Sequence, residues 1–305
     1  MNRCISYPGW PVTDLEGQYY LFGGDNLARD VFSRMVYGSQ TVMIIAPAAT
    51  LFAFMVGITL GLPAGYFSGR FDTVLSFLAN LVLAFPVILL FYLLVTKEIV
   101  ETGIPMYIAA VLFLFPIVFV VLMIKTKMVS EPQRLAIWLT IVIILGLWAY
   151  SGLAFNADPF GVWGMSANIL NIFVSVVFVN SPTVFRIVRG LTLDIKTRDY
   201  VAAAQTRGEG PWYIMLWEIL PNARGPLIVD FCLRIGYTTI LLGTLGYFGL
   251  GLAPESPDWG TAIKDGSQLL RLTPYPAIVP ALALMSFVLG LNLLADALRE
   301  ESLKD

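Results

Sequence analysis

Histidine is absent from this sequence. That excludes imidazole metal sites, Ser-His-Asp triads and imidazole proton relays. Charge is scarce as well: 13% of the 305 residues are charged, while 57% are hydrophobic. A soluble domain carries about 25% charged and roughly 45–50% apolar residues. With a mean hydropathy of +0.76, the chain has too little polar surface for water, and membrane lipid is its natural solvent. The net charge is −2 and no basic stripe is present, so nucleic acid is excluded as a partner. Of the two cysteines, Cys4 sits near the N-terminus and Cys232 in an apolar stretch, so no disulfide is expected between them. Residues 1–40 lack a sustained apolar run, which argues against a cleaved signal peptide. No Gly-Lys-Ser or Gly-Lys-Thr phosphate loop occurs, and no carboxylate pair stands at catalytic spacing. The chain is therefore not expected to be an enzyme or to carry a metal or cofactor.

Long uncharged apolar runs take the place of these features. A hydrocarbon core of about 30 Å needs about 20 such residues in a helix. Runs of this kind are Thr41–Pro63, Thr73–Thr96, Ile104–Ile124, Leu135–Leu153, Ala167–Phe185, Gly225–Leu250 and Ala277–Ala295. The predicted fold is all-α and polytopic, with about seven transmembrane helices. Barrel strands would alternate and run only about 10 residues. Pro47, Pro86, Pro116, Pro182 and Pro280 fall in these spans and read as ordinary packing kinks.

Lysine and arginine set the orientation. The loops holding Arg70, Lys125, Lys127, Arg186, Arg189, Lys196, Arg198 and Arg207 carry twice the cations of the loops holding Arg29, Arg34, Lys97 and Lys264. The first set is placed in the cytoplasm. Residues 1–40 then form an external N-terminal segment, 41–298 the membrane domain, and 299–305 a cytoplasmic tail.

The longest cytoplasmic segment is 186–224. Thr197 to Asp199 can cap a short helix over Tyr200 to Arg207. Gly208 suits the left-handed position after it, and Pro211 the first turn of a second helix ending near Leu220-Pro221. Physics alone makes this an interfacial helix pair. Asp230 and Arg234 stand four apart in the sixth span, hence on one helix face. They read as a self-neutralised pair with Arg234 reaching for the interface, or as a pathway or partner contact. Asn168, Asn171, Asn180 and Asn292 read as interhelical hydrogen bonders, and Trp163, Trp212 and Trp259 as interface residues.

The stretch Tyr200-Val201-Ala202-Ala203-Ala204-Gln205, then Gly208 and Leu220-Pro221, resembles the EAA motif of bacterial ATP-binding-cassette importer permeases. Ala202 stands where that motif has glutamate. Five further stretches resemble permeases of the dipeptide, oligopeptide and nickel group: Gly24–Arg34, Gly65–Asp72, Arg186–Gly190, the external loop with Phe248–Gly251, Pro257, Asp258, Trp259, Gly260 and Asp265-Gly266, and the ending Asp296–Arg299. Ala28 replaces a usual glycine.

The resemblance implies a permease in a bacterial inner membrane that imports a small solute, peptide or peptide-like. Its coupling helix docks on an ATPase subunit that binds ATP and Mg. The implied partners are a homologous permease, one or two ATPases and an extracytoplasmic solute-binding protein. Two departures are expected: the family's first helix is missing, and an extra helix pair occupies 97–165. Other readings are a stand-alone secondary transporter, disfavoured by the lack of internal repeats, and a degenerate permease that no longer transports.

Overall fold

A computed structural model describes residues 20–129, 131–155, 167–250 and 257–302. Cys4, Trp163 and Gly251 lie outside the described residues. Among those described, the chain is helical, with one isolated bridge between Gly24 and Asp30. The helices are α1 (Val31–Phe67), α2 (Arg70–Leu83), α3 (Val87–Val95), α4 (Lys97–Glu101), α5 (Ile104–Leu112), α6 (Leu114–Lys127), α7 (Pro132–Phe155), α8 (Ala167–Ile195) and α9 (Asp199–Thr206). A helical stretch, α10, follows as Pro211–Tyr213, Ile214–Ile219 and Leu220–Asn222, its middle part wound as a π-helix. The last three are α11 (Arg224–Phe248), α12 (Trp259–Ser267) and α13 (Tyr275–Ser302).

Among the described residues six helical segments are long and apolar enough to cross a membrane, and α2 with α3 makes a seventh if that bent pair is one span. The protein is thus an all-α polytopic membrane protein, and at Pro86, expected as an ordinary packing kink, the second span is two arms bent by 83°. Pro86 is the cause. Its ring crowds the carbonyl four residues back, and the residue before it is driven out of the helical region. Helix α2 accordingly stops at Leu83, and Pro86 caps α3 with φ −58° and ψ 119°. Pro116 lies in the first turn of α6, just after α5 ends at Leu112, and there the two helices run on as one spanning segment. Pro47, Pro182 and Pro280 leave their helices continuous.

Helix ends also differ from expectation. Helix α1 starts at Val31, ten residues before the apolar run, because Asp30 accepts from Ser33 N–H at 2.9 Å and so caps it. Its 37 residues exceed the hydrocarbon core by about 25 Å at 1.5 Å per residue. Helix α8 continues past Phe185 to Ile195, with Val188, Thr192 and Ile195 buried along one face. The first ten residues of segment 186–224 are thus helical extension rather than loop.

The chain divides into two compact units, Met1–Ala48 with Cys232–Ala297 and Ala49–Phe231 with Leu298–Asp305. In the second unit α8 is central: 61% of its apolar window is buried, against 6% for α7. Helix α7 is left for lipid. Helix α1 meets α8 through Gly57, Gly61 and Gly65, where an added Cβ would lie 2.5–2.9 Å from Val184, Val188 and Thr192 side-chain carbons. Glycines four apart form a groove for the β-branched ridge of the partner helix, the usual means of close approach in lipid. Phe52, Phe113 and Phe173 stack edge-on beside this seam, with centroids 5.2–5.8 Å apart.

In the first unit α12 lies tight on α11. A Cβ on Gly260 would come within 2.1 Å of the Gly243 carbonyl oxygen. Asp258 caps α12 by accepting from Thr261 N–H at 2.9 Å.

Candidate functional site

Segment 186–224 is built from its backbone outward. Helix α9 starts after Arg198, whose backbone is extended and whose side chain makes no cap; neither Thr197 nor Asp199 caps it. Thr197 instead donates its hydroxyl to the Asp194 carbonyl at 2.8 Å. The other end is as expected. Gly208 has φ +83°, Gly208 N–H donates to Gln205 O at 3.0 Å, and Glu209 N–H donates to Ala204 O at 3.2 Å. These two bonds form a Schellman cap, which needs a left-handed residue and therefore glycine. Pro211 opens α10 as expected.

One face of α9 is an anchor and the other is free. Val201 and Ala204 are fully buried in a cluster with Val184, Val188, Ile214 and Ile219. Ala202, Ala203, Gln205 and Gly208 face outward, as does Tyr200. Partial burial pushes the Tyr200 phenol above its usual pKa. Leu220 is half-buried and packs on the same cluster, while Pro221 is exposed. The small side chains at Ala202 and Ala203 leave a low surface that another protein can approach closely.

Around α9 the structure gathers stretches far apart in sequence. Lys196 donates to the Gly65 carbonyl at 2.8 Å and to Ser68 Oγ at 2.9 Å, covering the free carbonyls at the end of α1. Gln205 Nε2 donates to Tyr66 Oη at 3.2 Å. Arg189 pairs with Asp72, and Arg186 Nη2 donates to Asn80 Oδ1 at 2.5 Å. The Gly65–Asp72 and Arg186–Gly190 stretches, separate motifs in sequence, are thus joined through Arg189 and Asp72, and Tyr66 carries the first of them to α9 through Gln205. Sequence reading had Lys196 only as an orienting cation and Asp72 only as the end of the Gly65–Asp72 stretch; their partners come from the structure.

A second polar cluster joins the Gly24–Arg34 stretch to the external-loop motif. Asp25 accepts from Arg29 Nε at 2.7 Å, and Arg29 Nη2 also reaches Asp265 at 3.3 Å. Arg34, largely buried, lies 3.8 Å from both carboxylates. Trp259 is 4% exposed and donates its indole N–H to the Met35 carbonyl at 2.8 Å. Its ring therefore serves packing and is not available to dock a protein. Gly260 is the close contact already described, and Pro257 is half-buried beside Gly38. Asp230 and Arg234 both lie on α11, Asp230 half-buried and Arg234 buried. Among the described residues no group of His, Cys, Asp or Glu could hold a metal ion.

A multi-pass helical protein with a packed helix pair at the end of its spans defines a membrane protein class, not yet an activity. The comparison with known sequences narrows that class. The family model for the inner membrane component of binding-protein-dependent transport systems matches residues 135–301, more than half of the chain. This chain belongs to that family, and with it to the peptide-type permeases of ATP-binding-cassette importers in the bacterial inner membrane. It is 29% identical over 278 residues to the glutathione transport system permease protein GsiD of Pectobacterium atrosepticum, covering 91% of this chain and 70% of that protein. The dipeptide transport system permease proteins DppC of Alkalihalophilus pseudofirmus and Haemophilus influenzae are each 26% identical, over 92% of this chain and 70% and 72% of theirs.

Proposed function

We propose that this chain is one of two permease subunits of an importer that moves a peptide or peptide-like solute into the cell. ATP and Mg are bound by a partner ATPase. An extracytoplasmic binding protein delivers the solute. Family membership supports the general reading, and relatives named for glutathione and dipeptide transport support the solute class.

The observation that carries the coupling role is the two-faced helix α9. Val201 and Ala204 fix it to the helix core, and Ala202, Ala203 and Gln205 face outward. A helix held this firmly moves as a lever: pressure from a closing ATPase displaces α8 and α10 with it. Ala202 supplies no carboxylate, so docking rests on shape and on Gln205.

The test is co-purification of an ATPase from native membranes. Gly208→Pro removes the left-handed cap, and Ala203→Arg puts a bulky cation on the free face. Both are expected to abolish ATPase recovery while leaving membrane insertion intact. Normal recovery with either variant would overturn the coupling role of α9.

A further inference from the structure

Two adjacent residues of the π-helical turn tie it in different directions. Glu218 Oε1 accepts from Arg207 Nη2 at 2.9 Å, which links the turn to the C-terminal cap of α9. Trp217 Nε1 donates to Thr126 Oγ1 at 2.9 Å, in the last turn of α6. The Thr126 hydroxyl itself donates to the Leu122 carbonyl at 2.8 Å, so it is acceptor to one partner and donor to the other. Lys127 Nζ lies 5.0 Å from the centre of the Trp217 ring, within cation–π range. Beneath these polar ties, Phe119, Leu122 and Met123 of α6 pack on the cluster that holds Ile214, Met215 and Ile219.

Packing alone does not need this arrangement. A half-buried indole at a membrane surface can satisfy its N–H with water, yet here it is held by a hydroxyl and covered by a cation. π-Helical turns also tend to mark functional positions. This is the π-helical element among the described residues, and it places Trp217 and Glu218 side by side.

From this geometry we infer that α6, together with α7 packed against it, is a brace for the coupling segment, and that Thr126 and Lys127 are positioning residues for energy transfer. The inference rests on the importer reading. Motion imposed on α9 reaches the π-turn through Arg207 and Glu218, and Trp217 hands it to α6. Without the tie, the turn yields locally and hydrolysis proceeds without full displacement of the spans.

The experiment uses the whole importer reconstituted in liposomes, with ATP hydrolysis and solute uptake measured in parallel. Thr126→Val keeps the shape but removes the acceptor, and Lys127→Met removes only the cation. ATPase co-purification is expected to stay at the wild-type level in both, since neither residue lies on the free face of α9. Uptake per ATP hydrolysed is expected to fall roughly five-fold in Thr126→Val, the factor for one hydrogen bond in a coupling equilibrium. Trp217→Phe combined with Thr126→Val is expected to cost no more than either alone. An unchanged ratio in both α6 variants, or a loss of uptake that only follows protein abundance, would overturn the brace. Failure of the wild-type chain to recover any ATPase would instead overturn the importer reading, and the brace with it.

Discussion

Arg189 holds Asp72 with two N–H groups, Nε to one carboxylate oxygen and Nη2 to the other at 2.6 Å. The pair joins α8 to the first turn of α2, where Ser76 also donates to Asp72 at 3.1 Å. Two parallel charged hydrogen bonds fix direction as well as distance. Asp72→Asn keeps the shape and removes the charge, leaving Arg189 without its counter-ion. The side chain of Arg189 is 32% exposed, so water recovers part of the loss. A destabilisation of about 1–2 kcal/mol is expected, read as a lower Tm in detergent. Combining it with Arg189→Gln is expected to cost less than the two changes summed, as for any coupled pair.

Ala28 has φ +60°, the left-handed region that a side chain disfavours. Its N–H donates to the Asp25 carbonyl at 3.0 Å, and Leu27 and Arg29 N–H both donate to Asp25 Oδ1, so the turn is held in place around it. Glycine relieves the strain and leaves these bonds intact. Ala28→Gly is expected to stabilise the protein by about 0.5–1 kcal/mol, seen as a rise in Tm, with the entropy of the freer unfolded chain taking back part of the gain.

Gly61 and Gly190 make a matched comparison within helices. A Cβ on Gly61 would meet Val188 side-chain carbons at 2.9 Å, whereas one on Gly190 meets nothing within 4 Å. Gly61→Ala is expected to destabilise by about 1–3 kcal/mol through overpacking of the α1–α8 seam. Gly190→Ala is expected to be neutral or stabilising by up to about 1 kcal/mol, because it only restricts the unfolded chain. Tm and yield of folded protein from membranes check both; an equal fall in the two variants would mean the seam does not set the sensitivity.

Helix existence was legible in the sequence because lipid demands long apolar runs, and those runs are read directly. Helix ends were less so. The start of α1 depends on Asp30 and the far end of α8 on buried Val188, Thr192 and Ile195, both outside the apolar windows. The Gly208 cap was readable because a left-handed position after a helix calls for glycine, a local rule. Trp259 was only half legible, since an indole near an interface fits both an exposed and a packed role, and only its bond to Met35 separates them.

The sequence by itself determined that this protein lives in a membrane, that it is helical, and that a short glycine-capped helix follows its fifth apolar run. Composition, run length and backbone conformation are properties of the chain within a few residues, so they need no knowledge of the fold. The tertiary structure decided what lies beside that helix. The meeting of Asp72 with Arg189 and of Thr126 with Trp217 joins residues more than ninety positions apart. Such pairs depend on how spans pack in three dimensions, which no local pattern of residue types encodes.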